Sequence, residues 1–195
     1  MSVRIYKLGG GGGGLVGEHY VLSLRGGSGY ATSQSVLATA PTTITPTTDK
    51  VYSAPFIPNN AIVDATFFIN VNTPQVGKSA RIMIYSNGKN NTPADLLFTE
   101  DLSVASSGVR TTTLTFSFDA GTIYWIAFSS DASSAVVSAI PATNLLSLGT
   151  KNTGGQQSIF QGMGVFASGA ESSFDNYLSN DYSNSEMPLV GVNIP

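Results

Sequence analysis

The chain has no cysteine in its 195 residues, which excludes disulfides and thiolate metal sites and leaves stability to the packed core. It has a single histidine, His19, so imidazole chemistry has one candidate and no second ring to pair with it. Charge is scarce: Asp, Glu, Lys and Arg make up 11% of the residues, against about 25% in an average soluble domain. The net charge of −3 excludes the basic footprint that nucleic acid normally requires. No window approaches the roughly 20 apolar residues of a membrane-spanning helix. Arg4 and Lys7 are followed by six glycines at residues 9–14, where a secretion signal needs an apolar run. The expectation is a soluble protein made in a cytoplasm, with neither nucleic acid nor membrane as partner.

What the chain does have is alternation. In residues 61–72, Val63, Ala65, Phe67, Ile69 and Val71 alternate with Asp64, Thr66, Phe68, Asn70 and Asn72, the period of two that marks a strand with one buried face. Further strands are predicted at 80–85, 96–104, 109–118, 122–129, 135–140, 159–166 and 189–194. Leu114, Phe116 and Phe118 are placed on one face of the strand 109–118, and Val190, Val192 and Ile194 on one face of the last. Turn residues punctuate the series, among them Pro74, Gly77, the Asn87-Gly88 step and Gly121. No gap holds a convincing amphipathic helix. The fold class predicted is all-β, an antiparallel two-sheet β-sandwich of jelly-roll type.

Two regions are expected: an extended Gly-rich N-terminal arm and linker at 1–49, and the β-sandwich domain at 50–195. Glycine at residues 9–14 gives the arm high conformational entropy and little side chain to bury. Val21, Leu22 and Leu24 are its candidate docking residues, able to add a strand to a neighbour's sheet edge. The Thr- and Pro-rich residues 41–49 read as an extended linker.

Candidate chemistry is sparse. His19 beside Glu18 lacks a third orienting group, and the glycine run lacks the Lys-Ser/Thr pair of a phosphate-binding loop. Glu100 and Asp101 are adjacent in a strand and point to opposite faces, so they cannot flank one bond; with Asp95 they read as surface charges. Asp175, Asn176, Asn180, Asp181, Asn184 and Glu186 offer oxygen ligands without the spacing of a calcium loop. Residues 172–186 therefore read as a polar surface loop, and neither metal nor cofactor is expected. Trp125 shares parity with Ile123 and Ala127, and Tyr124 with Ile126 and Phe128, so this strand is predicted to be buried on both faces. Phe174, Tyr177 and Tyr182, in the late loop, are the candidate sugar or partner contacts. No residue is assigned a catalytic role.

The segments VYSAPFIPNNAIVDATFFINV, ARIMIYSNGKNNTPADLLFTEDLSV, TTTLTFSFDAGTIYWIAFSSD and PLVGVNIP together resemble a β-sandwich module of bacteriophage tail, fibre, appendage and capsid-decorating proteins. In that family a step like Gly121-Thr122-Ile123-Tyr124-Trp125 opens a central strand. The resemblance spans about residues 50–195 and implies a non-enzymatic virion protein, usually a homotrimer, bound to other virion proteins of the capsid or tail. It brings no catalytic or ligand residue with it. The lack of a long fibre shaft departs from the pattern of a receptor-binding tip. A carbohydrate-binding module that contacts a host surface glycan is the alternative expectation.

Overall fold

The computed structural model describes residues 30–32, 42–89, 91–141, 160–163, 174–176 and 186–194. Every regular element among them is a strand. In chain order these are β1 (Tyr30–Thr32), β2 (Thr42–Ile44), β3 (Lys50–Phe56), β4 (Ile62–Thr73), β5 (Ser79–Asn87), β6 (Pro93–Ser103) and β7 (Gly108–Thr111). There follow β8 (Phe116–Phe118), β9 (Tyr124–Ser130), β10 (Val136–Pro141), β11 (Phe160–Met163), β12 (Phe174–Asn176), β13 (Glu186–Pro188) and β14 (Gly191–Asn193).

The pairings nest. β5 pairs with β6, β4 with β7 and β8, β3 with β9, and β2 with β10, all antiparallel. The chain from 42 to 141 is thus one long antiparallel ribbon whose tip is the β5–β6 connection. Rolling that ribbon sends successive rungs to alternate sheets. One sheet contains β2-β10-β4-β7 and the other β3-β9-β5-β6, which is the jelly-roll order. The antiparallel sandwich expected from the alternation is the observed fold. Residues 42–44, expected as linker, supply the first rung.

The core lies between the sheets. Ile62, Ala65, Phe67, Ile69 and Val71 of β4 face Tyr52, Ala54 and Phe56 of β3, Ile82 and Ile84 of β5, and Tyr124, Ile126 and Phe128 of β9. Six rings, Phe56, Phe67, Phe98, Phe116, Phe118 and Tyr124, meet edge-on or tilted at centroid separations of 4.9–6.1 Å, the geometry favoured by the ring quadrupole.

Three local expectations need correction. Val63 was expected on the inner face but is 65% exposed. Ile62 pairs with Phe118 and Ala65 with Phe116, so three steps on β4 oppose two on β8. This bulge, with Asp64 at φ 54°, shifts the phase by one residue and turns Ile62 inward. Leu114 is likewise 56% exposed, because the expected strand 109–118 breaks into β7 and β8. Between them buried Thr112 exchanges two 2.8 Å bonds with Phe67, its N–H donating to the Phe67 carbonyl and its Oγ1 accepting the Phe67 N–H. Thr112 Oγ1 also donates to the Leu114 carbonyl at 3.1 Å, which holds the intervening loop out from the sheet. Lastly, the expected surface loop 172–186 contains β12 and the first residue of β13, both paired by backbone bonds to neighbouring strands.

The C-terminal segment fills a split in the first sheet. Ala139 pairs with both Thr42 and Pro188, and Val137 with both Ile44 and Val71, so β13 and β4 share one edge of β10. By the same reasoning β14 and β10 share one edge of β4. β13 runs antiparallel to β10 and β14 antiparallel to β4, which are themselves antiparallel, so the chain reverses between Pro188 and Gly191. Met187, Val190 and Val192 are fully buried there.

Candidate functional site

Several of the described ionisable groups hold strands and loops in place. Glu100, at the inward parity of β6, reaches across the edge of the sandwich and accepts from Thr113 N at 2.7 Å, Thr113 Oγ1 at 2.8 Å and Leu114 N at 2.9 Å. Asp101, one residue on, faces the opposite way and receives Arg81 Nη2 at 2.8 Å, and this pairing raises the guanidinium pKa. The two carboxylates diverge, as their adjacency required. Asp131 takes the Ser79 N–H at 2.8 Å and lies 3.5 Å from Lys78 Nζ. Asp119 closes the turn before β9, its N–H donating to Tyr124 Oη at 3.1 Å. Arg110 donates to the carbonyls of Ser106 and Ser107. Among the described residues no three His, Cys, Asp or Glu side chains converge as metal ligands.

β9 is buried along its whole length, as the parity of its residues predicts. Its inward residues join the main core, while Trp125 and Ala127 form a second apolar cluster with Val51, Met83 and Tyr85 on the other face of that sheet. Trp125 is fully buried and donates its indole N–H to Asn87 Oδ1 at 2.9 Å, the partner a buried Trp needs. In the same strand Ser129 Oγ is buried without a hydrogen-bond partner.

Of the described large apolar side chains that are exposed, Val76 lies in the turn between β4 and β5 and Val63 at the β4 bulge, while the other four gather along one edge. β6 ends the order of its sheet, and an edge strand presents backbone donors and acceptors to any chain that can pair with it. Leu97, at an irregularity in the β5–β6 register, is 45% exposed, and Leu96 beside it is 36% exposed. On the neighbouring edge of the other sheet, Val109 and Leu114 are more than half exposed. The bond from Leu114 N to Glu100 places these two edges side by side. Periodicity could not reveal this edge, because the pairing order alone decides which strand is last.

The arm residues Val21, Leu22 and Leu24 lie outside the described residues, as do His19, Tyr177 and Tyr182. Phe174 is described only in its backbone, which pairs with Gly162 at the far edge of the sheet that β6 begins. No protein-family model matches the chain, and neither does any curated protein.

Proposed function

We propose that the chain is a non-enzymatic structural component of a bacteriophage virion, a tail, appendage or capsid-decorating protein. It associates with copies of itself through its sandwich, as a homotrimer, and docks on a neighbouring virion protein through the arm that carries Val21, Leu22 and Leu24. The observation that carries this reading is the jelly-roll order of strands with the apolar β6–β7 edge beside it. Double-sheet jelly rolls recur in viral capsid proteins, and an exposed edge with apolar side chains suits strand-to-strand association. Low charge adds to this, because few like charges oppose the approach of copies. The resemblance of the four sequence segments to phage sandwich modules points the same way.

The test uses tagged chains expressed during phage production, followed by purification of particles and detection of the tag. Full-length chain is expected in the particles. A chain lacking residues 1–29 is expected to fold, because β1 to β14 are retained, but to be absent from particles. Equal incorporation of the two would overturn docking through the arm, and absence of both would overturn the virion assignment.

A further inference from the structure

The tip of the rolled ribbon carries the one Asn-Gly step of the sequence, Asn87-Gly88. This dipeptide is chemically labile, since glycine has no side chain to keep its backbone nitrogen away from the preceding side-chain amide. When that nitrogen attacks the Asn Cγ, a C–N bond forms, ammonia leaves with the transferred proton, and a succinimide results. Water then opens the ring at either carbonyl, giving aspartate or isoaspartate.

The structure demands both residues. Asn87 Oδ1 accepts the indole N–H of the buried Trp125 at 2.9 Å, and Asn87 Nδ2 donates to Asn91 Oδ1 at 3.3 Å. A Cβ at residue 88 would lie 3.0 Å from Ala94 Cβ and 3.2 Å from the Thr92 carbonyl oxygen, so any other residue crowds the start of β6. The fold also blocks the reaction. Asn87 ends β5 in extended backbone, paired with Pro93, and its side chain is tethered to Trp125. The Gly88 N–H donates to the Thr92 carbonyl at 2.7 Å, which engages the nucleophile. Attack requires a different backbone angle and a free nitrogen.

We infer that Asn87-Gly88 is a latent deamidation site, held unreacted by the β5–β6 connection and exposed to succinimide formation whenever that connection opens. Isoaspartate at residue 87 inserts a methylene into the main chain at the ribbon tip. It breaks the Asn87–Pro93 register and the seat of Trp125, so a converted chain cannot rebuild the hairpin on which the other rungs close. Chains that stay folded therefore escape conversion, and chains that open are disabled by it.

The full chain is incubated at mildly alkaline pH in native buffer and in concentrated urea, and isoaspartate at residue 87 is quantified by peptide mapping. Conversion in native buffer is expected to be about tenfold slower or more, because it proceeds only through the opened population. Trp125→Phe, which removes the indole tether on Asn87 Oδ1, is expected to speed native conversion while leaving the urea rate unchanged. Equal rates in native buffer and urea would overturn the protection, and no conversion in urea would overturn the site itself. The urea comparison needs no variant, so it stands even if Trp125→Phe misfolds.

Discussion

Gly191 shows how one residue without a side chain fixes a junction. It pairs across from Phe68 on β4, and a Cβ there would overlap the Phe68 ring. Phe68 projects from the face opposite the core and covers the glycine, an arrangement that lets a bulky ring restore packing over a weak strand position. Gly191→Ala is expected to cost about 1–3 kcal/mol by overpacking. In a Phe68→Ala background the same change should cost much less, and urea denaturation of the four proteins in that cycle measures the coupling. Polar groups on the outer side of the β9 sheet give a second, opposed pair of outcomes. Asn87→Ala removes the Oδ1 acceptor of the buried Trp125 indole N–H and is expected to cost about 1–3 kcal/mol. Ser129→Ala removes a buried hydroxyl that has no partner and is expected to leave stability unchanged or raise it. Thermal melts of the two variants separate these signs.

At the scale of elements, the alternation of β4 from Ala65 to Val71, the apolar faces of β9 and the strand nature of β4 to β11 and β14 were legible in the sequence, whereas β1, β2, β12 and β13 fell in segments expected as arm, linker or loop. Each of those features is set by which side chains must leave water. Features that depend on a partner strand were not legible. The bulge at Asp64 exists because β4 takes three steps where β8 takes two. The break after β7 exists because Thr112 replaces the ladder with its own hydroxyl. The reversal at 189–190 exists because β4 and β10 diverge and leave a gap that the C-terminal segment fills. The same nesting has a kinetic consequence. The β5–β6 pair is local, while β2 and β10 join Ile44 to Val137, and distant pairs close only after loop entropy has been met. Ile84→Val, in the tip hairpin's inward face, is expected to slow folding by most of its about 0.5–1.5 kcal/mol loss. Val137→Ala, in the outermost rung, should chiefly speed unfolding. Stopped-flow chevrons of both variants check the order, and a folding rate unchanged by Ile84→Val would contradict it.

For the whole molecule, the candidate site was the least legible part. The aromatic and arm residues singled out from composition lie outside the described residues or are described only in backbone. The surface proposed for association, Leu96 and Leu97 on β6 with Val109 and Leu114 opposite, emerges only once the strand order is known. What the sequence did convey is the scarcity of chemistry. Carboxylates and guanidinium groups that look unassigned along the chain prove to tether the loop 112–115, pair Arg81 and close the turns around β9. In the proposed reading such a body acts by position, held among copies through an apolar edge. The most direct measurement is the mass of the purified full chain in solution by light scattering across a range of concentrations. A particle of about three times the 20.3 kDa chain mass, falling to the single-chain mass on Leu97→Lys with the fold retained, is the result expected for association through the β6 edge. A single-chain mass for the unaltered protein at every concentration would contradict it.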